Sequence, residues 1–188
     1  QVKCFVNLGE NKMAKKIENE KPKKYVFFNS STVQGGKSLI AHYFIYGYQQ
    51  AHGVLPKIVD LDSKHRSMAD TYAGTPSIDI QDVESLFDLI AESEEPVVVV
   101  DCAVGSTPAI LNAAGLKKKG SLKDYIDFFD IFQHELEATP VWFALLDNDI
   151  SKSLKSLEEL DDGFSKIAEK VPGFKLDIVM VYNKGHWE

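Results

Sequence analysis

Short runs of β-branched and aromatic residues recur along the chain and are almost uniformly apolar. They cover residues 25–28, 57–60, 97–100, 141–146 and 177–182. Runs of this length and character are typical of strands that are buried on both faces of a parallel sheet. The pattern therefore predicts five strands.

Longer segments lie between these runs and have apolar residues every three or four positions. They cover residues 37–51, 83–92, 122–137 and 153–171. This spacing predicts helices, and the alternation of strand and helix predicts an α/β fold. We expect a mostly parallel β-sheet with helices on both faces, in a three-layer architecture. Ligands of such folds bind at the carboxyl ends of the strands.

The 188 residues are enough for a single hydrophobic core. Residues 1–24 contain seven lysines and three glutamates, a net charge of +4, which leaves −11 on residues 25–188. This N-terminal segment shows no regular spacing of apolar residues and lacks the apolar stretch of a signal peptide. We therefore expect a basic tail over 1–23 and one domain over 24–188. Met13 is predicted to be the natural start.

Composition excludes several classes of protein. With 44% hydrophobic and 26% charged residues the chain is not intrinsically disordered, and it contains no apolar run of membrane-spanning length. Its two cysteines favour a reducing cytoplasm over a disulfide-rich secreted fold. The net charge of −7 argues against a protein that chiefly holds nucleic acid. The basic run Lys117–Lys119 suits DNA phosphates or a solvated loop equally, so direct DNA binding stays open.

Candidate chemistry begins directly after the first predicted strand, in the segment Ser31–Ser38. A phosphate-binding loop needs glycines whose backbone N–H groups converge on an anion, a lysine for the phosphates and a hydroxyl for magnesium. These groups are supplied by Gly35, Gly36, Lys37 and Ser38. The helix that follows turns the positive end of its dipole to the same anion. Ser31 replaces the first glycine of the usual pattern, so a plain turn into a helix is the alternative.

Acidic residues follow the next two predicted strands. Asp60 and Asp62 come after the second strand, and Asp101 comes after the third, with Gly105 four residues on. An aspartate at this edge can hold magnesium or orient an attacking water in phosphoryl transfer. The alternative for Asp60 or Asp62 is a turn or a cap for a helix that begins nearby.

Together these motifs resemble the MinD and ParA group of deviant phosphate-loop ATPases over residues 24–188. The segment Asp101 to Pro108 and the later Asn183-Lys184 are also similar to the TraL-type ATPases of conjugative plasmid transfer. The resemblance implies a P-loop NTPase domain whose C-terminal part is missing here. ATP closes such proteins into a homodimer, and hydrolysis reopens it.

The resemblance also implies roles for individual residues. Lys37 and Asp62 would be catalytic, with Lys37 on the phosphates and Asp62 on the attacking water. Magnesium would be held by Ser38 and, through water, by Asp101. Nucleotide binding would involve Gly35, Gly36, Lys37, Ser38, Leu39, Gly105 and Asn183. Asn183 would read adenine, since His186 stands where a guanine site has aspartate.

The chain departs from that group in the loop itself. The group's Lys-Gly-Gly, whose lysine reaches the partner's nucleotide, is replaced by Thr32, Val33 and Gln34. Loss of that cation removes charge stabilisation from the transition state, so slow hydrolysis is expected. Lys64 or Arg66 could replace the charge, or both could be solvated loop cations.

Three functions remain open at this stage. The first is a cytoplasmic, nucleotide-switched ATPase using ATP and Mg²⁺, with a protein partner in plasmid partition or conjugative DNA transfer. The second is a small-molecule kinase or ligase on the same scaffold. The third is a degenerate nucleotide-binding adaptor without turnover.

Overall fold

The computed structural model describes residues 24–29, 36–79, 82–103, 130–146, 169 and 177–182. The strands in these ranges are β1 (Lys24–Phe28), β2 (Lys57–Asp60), β3 (Val97–Asp101), β4 (Ala138–Leu146) and β5 (Asp177–Tyr182). The α-helices are α1 (Lys37–His52), α2 (Ser67–Thr71) and α3 (Val83–Glu92), and a π-helix covers Ile131–Glu135.

The strands form one sheet in the order β2-β3-β1-β4-β5, with every neighbouring pair parallel. Strand β1 lies at the centre, between β3 and β4. Parallel neighbours need long crossover connections, which usually carry helices. The predicted α/β fold with a parallel sheet is confirmed for the part of the chain that the structure describes.

Successive side chains of each strand point to opposite faces of the sheet, and two separate cores result. One core joins β1 and β3 to α3 and the π-helix, and it contains Val26, Phe28, Val98, Val100, Leu86, Ile90 and Phe132. The other joins β2 and β3 to α1 and α2, and it contains Ile58, Val97, Val99, Ala41, Ile45 and Met68. Helices therefore cover both faces of the sheet.

Helix α1 is bounded by glycines in left-handed backbone conformations. Gly36 precedes it with φ 88°, and Gly53 follows it with φ 75° and donates its N–H to the Gln49 carbonyl at 2.8 Å. Glycine adopts positive φ without a Cβ penalty, so both ends of α1 are fixed by the sequence. Phe44 on α1 packs against Phe27 of β1, with ring centroids 4.2 Å apart.

Four of the five predicted strands match within one residue, whereas β4 starts at Ala138 rather than at 141. Pro140 concealed this start, because proline lacks the N–H of a sheet ladder. Among the described residues, β5 pairs with β4 from Val141 onward and β1 pairs with Ala138 to Trp142, so Pro140 lies where β1 is the only described neighbour of β4.

Of the predicted helices, 37–51 and 83–92 are confirmed as α1 and α3. The predicted helix 122–137 is described only from residue 130 onward. In this part a π-helix covers Ile131–Glu135, and Glu137 after it has a left-handed backbone with φ 48°. The predicted helix 153–171 lies outside the described residues except for Glu169, which is in a turn.

A matched pair of substitutions on α1 tests this core. Ile45 is fully buried, whereas Tyr46 is 61% exposed. We expect Ile45→Ala to lower the free energy of unfolding by about 2–5 kcal/mol, since it leaves a cavity under the sheet. Tyr46→Ala should change it by less than about 0.5 kcal/mol. Urea unfolding followed by circular dichroism measures both, and equal losses would contradict the packing described.

Candidate functional site

The strand order puts the topological switch point, where α/β folds form a ligand-binding crevice, at the carboxyl ends of β1 and β3. From β1 the chain passes to β2 on one side, and from β3 it passes to β4 on the other. Such a reversal between adjacent parallel strands is where ligands of α/β folds bind. The carboxyl ends of β1 and β3 therefore border the candidate site.

Three buried polar side chains lie in one row at this edge. Asp60 pairs with Asp101 across β2 and β3, and Asn29 follows Phe28, the partner of Val100. Asp60 is 0% exposed, and Asp101 and Asn29 are each 1% exposed. Because side chains alternate along a strand, all three fall on the face covered by α1 and α2.

Asn29 connects three elements of the site. Its Nδ2 donates to the Lys37 carbonyl at 3.1 Å and to Oδ1 of Asp101. Its Oδ1 accepts the backbone N–H of Cys102 at 2.6 Å. One buried amide thus ties the end of β1 to the start of α1 and to the end of β3.

The hydroxyl group of Ser67 contacts both the other oxygen of Asp101 and the hydroxyl group of Ser38. Oγ of Ser67 lies 2.8 Å from Oδ2 of Asp101 and 3.1 Å from Oγ of Ser38. Ser38 is in the first turn of α1, and Ser67 is the first residue of α2. The predicted magnesium residues Ser38 and Asp101 are therefore brought together, with Ser67 between them.

Lys37 is the first residue of α1 and is only 8% exposed. Lysine is seldom buried to this degree in proteins. The first turn of α1 contains no acidic residue, so no side-chain carboxylate within it neutralises the positive end of the helix dipole. A buried lysine and a helix N-terminus together favour an anion at this end of α1.

Asp60 serves as a cap for α2, which was one of the two roles that the sequence left open. Its Oδ2 accepts the N–H groups of Met68 at 2.9 Å and Ala69 at 3.0 Å. Its Oδ1 accepts the N–H of Asp62 at 2.9 Å. This fully buried carboxylate therefore fixes both α2 and the turn that leads to it.

Asp62 lies in that turn and is 24% exposed at its side chain. Its Oδ1 accepts the backbone N–H groups of Lys64 at 3.3 Å and His65 at 3.0 Å, and Nδ1 of His65 lies 3.1 Å from its Oδ2. These contacts hold the carboxylate within its own turn. Within the described ranges, the Asp62 carboxylate makes no hydrogen bond to Ser38 or Asp101.

Helices α1 and α2 also meet at the far end of α2. The Tyr72 hydroxyl lies 3.1 Å from Nδ1 of His42, and the two rings are 5.5 Å apart. Burial raises the pKa of the Tyr72 phenol above its ordinary value, so the phenol stays protonated and can donate a hydrogen bond. The site is thus anchored at both ends of α2.

The remaining predicted site residues divide between the described and undescribed parts of the chain. Gly36 precedes α1, and Leu39 lies in its first turn with 48% of its surface exposed. Gly35, Gly105 and Asn183 lie outside the described residues, as do Ser31 to Gln34 and Lys117–Lys119.

Sequence reasoning missed Asn29 and Ser67. Asn29 could have been found from strand alternation, because it follows β1 with the parity that places Asp60 and Asp101 on one face. Ser67 begins Ser-Met-Ala-Asp, a capping-box pattern that predicts a helix cap rather than a site residue. Its hydroxyl is instead directed to Ser38 and Asp101, and Asp60 takes over the cap.

The oxygens of Ser38, Ser67 and Asp101 are hard ligands of the kind that magnesium prefers. Magnesium is commonly held by one carboxylate together with hydroxyl, water and phosphate oxygens. The described ranges contain no group of three or more His, Cys, Asp or Glu side chains arranged for a metal. The set therefore fits Mg²⁺ better than a transition metal such as zinc, which takes nitrogen and sulfur ligands.

No protein-family model matches the chain, and no curated protein matches it either. Among the helices that the structure describes, none is both long and apolar enough to span a lipid bilayer.

Two variants test the Asn29 bridge. Asn29→Ala should lower the free energy of unfolding by about 3 kcal/mol, because the Cys102 N–H loses the Asn29 acceptor and Oδ1 of the buried Asp101 carboxylate loses the Asn29 donor. Asn29→Asp keeps an acceptor for Cys102 but sets a second carboxyl group against Asp101. Like-charge repulsion between two buried carboxylates should therefore make Asn29→Asp at least as destabilising as Asn29→Ala. Urea titrations measure both effects. A loss below about 0.5 kcal/mol in Asn29→Ala would refute the bridge.

Proposed function

We propose that this chain binds ATP with Mg²⁺ at the carboxyl edge of β1 and β3 and hydrolyses it slowly. The observation that carries the proposal is the joining of Ser38 to Asp101 through Ser67, next to the buried Lys37. A lysine, a hydroxyl and a carboxylate that converge at a strand-to-helix turn are the groups that phosphoryl transfer requires. The sheet order further supports the proposal, since β1 and β3 lie side by side at the crevice.

In this proposal the start of α1 binds the phosphates. Lys37 supplies a positive charge, and the N–H groups of the first turn supply donors in a fixed direction. Gly36 brings the backbone close to the anion, since its left-handed conformation starts the helix without a side chain in the way. The P-loop NTPase architecture is part of this proposal.

Ser38 and Asp101 would hold the magnesium ion, which would neutralise charge on the phosphates during transfer. Asn29 donates to the other oxygen of Asp101 and so orients the carboxylate. This leaves Oδ2, the oxygen that now contacts Ser67, to face the metal or its water. The nucleobase would be adenine, because the resemblance implies that the Asn183 amide recognises it.

Asp62 would orient the attacking water. Its carboxylate now contacts the turn through Lys64 and His65, so this role requires the turn to open toward the phosphates. Thr32 takes the place of the trans-acting lysine. Such a cation is worth about 10³–10⁵ in rate, and without it hydrolysis should be slow.

Slow hydrolysis suits a switch better than a metabolic enzyme. ATP would favour a closed homodimer, and hydrolysis would reopen it. A protein partner in plasmid partition or conjugative DNA transfer would distinguish the closed homodimer from the reopened form. This biological role follows from the resemblance to the MinD and ParA group.

The proposal is tested by removing the buried lysine. Lys37→Ala should abolish most ATP affinity in isothermal titration calorimetry, because the phosphates lose their cation. Lys57→Ala is the matched control, since Lys57 begins β2 at the opposite edge of the sheet. Circular dichroism confirms that both variants fold. Unchanged ATP binding by a folded Lys37→Ala protein would refute the proposed function.

A second experiment separates hydrolysis from binding. Asp62→Asn removes the charge but keeps an oxygen for the N–H groups of Lys64 and His65. We expect ATP affinity to persist and phosphate release to fall by about 10²–10⁴-fold, the usual contribution of a general base. Asp70→Asn, at an exposed position on α2, is the control. Equal turnover in Asp62→Asn and wild type would exclude Asp62 from catalysis.

A further inference from the structure

We propose that Ser67 supplies a third protein oxygen to the magnesium site, so that metal binding fixes α2 against α1. This inference rests on the proposed function and assigns a role to a residue outside the phosphate-loop and aspartate motifs.

The distances around Ser67 fit a metal site. Octahedral magnesium has oxygen ligands at 2.0–2.1 Å, so neighbouring ligands lie about 2.9 Å apart. Oγ of Ser67 lies 3.1 Å from Oγ of Ser38 and 2.8 Å from Oδ2 of Asp101. Both separations match adjacent corners of such an octahedron. Ser67 therefore lies at ligand-to-ligand distance from each of the two predicted magnesium residues.

Ser67 is also held in place by contacts on both sides. Asp60 accepts the N–H groups of the next two residues, Met68 and Ala69. At the other end of α2, Tyr72 contacts His42 of α1. Ser67 therefore does not approach the site on a free loop. A ligand that engages its hydroxyl acts on the whole of α2.

The backbone before Ser67 adds a second observation. Arg66 has φ 45° and ψ 35°, a left-handed conformation that costs a non-glycine residue about 1–2 kcal/mol. Such strain persists where surrounding contacts fix the backbone, and it clusters at functional sites. Here it turns the Ser67 hydroxyl toward Ser38 and Asp101 and leaves capping of α2 to Asp60.

The consequence is a link between the metal and the turn that carries Asp62. Asp60 holds α2 through one oxygen and the Asp62 N–H through the other. A metal bound by Ser67 would therefore also restrain the turn that must present Asp62. Metal binding and the positioning of Asp62, the proposed catalytic aspartate, would therefore be coupled.

The test titrates Mg²⁺ into the 188-residue chain with a fluorescent ATP analogue and follows fluorescence. Ser67→Ala should raise the half-saturating Mg²⁺ concentration about tenfold, as loss of a metal-orienting group does. Analogue binding in EDTA should not change, because Lys37 and α1 remain intact. Ser67→Thr keeps the hydroxyl and should behave like wild type. Mn²⁺ binding measured by electron paramagnetic resonance provides a readout that needs no hydrolysis.

Thr71→Val is the matched control, because it removes a hydroxyl of α2 that bonds the Ser67 carbonyl rather than the site. A wild-type Mg²⁺ requirement in Ser67→Ala overturns this inference alone. An equal loss in Thr71→Val also overturns it, since the effect would then be loss of α2 structure. Absence of Mg²⁺-dependent binding by the wild-type chain overturns the proposed function and this inference with it.

Discussion

The buried amide of Asn29 is the interaction on which the site depends. It reaches the carbonyl that starts α1, the carboxylate that ends β3 and the N–H of Cys102. Buried polar groups must be paired to be tolerated, so the ends of β1 and β3 and the start of α1 are fixed relative to one another. A site assembled from three separate parts of the chain then needs no further rigid scaffold.

A second constraint is the two-residue period of the strands. Val100 and Cys102 pack into the core under α3, while Asp101 between them points to α1 and α2. A shift of one residue in register would bury the acid in the apolar core and expose a valine to the site. The apolar residues of β3 therefore set the position of Asp101. The requirements of the fold and of the candidate chemistry agree at this strand.

Long apolar runs were sufficient to predict the strands and the parallel sheet, because burial on both faces leaves a strong signal. Lys37, Ser38 and Asp101 could also be predicted, since each stands at a junction of strand and loop or helix. Strand alternation places Asn29 on the face of Asp101, but the hydrogen bonds of Asn29 and Ser67 to Asp101 could not be predicted from local patterns, because Asp101 lies 72 and 34 residues away from them. Helix α2 could be anticipated only as a helix that Asp60 or Asp62 would cap, since its five residues are too few for a helical period.

The site also has an electrostatic balance that a cation would alter. Asp101 is 1% exposed, and its two oxygens accept hydrogen bonds from the neutral side chains of Asn29 and Ser67. Neutral donors stabilise a buried carboxylate less than a cation does. The Ser67 hydroxyl cannot donate its proton to Asp101 and also leave that oxygen wholly free for a metal. Oδ2 of Asp101 would therefore accept the Ser67 hydroxyl in the metal-free fold and face the metal when it is bound. Metal binding would replace only this hydrogen bond, because Asn29 bonds the other oxygen, Oδ1.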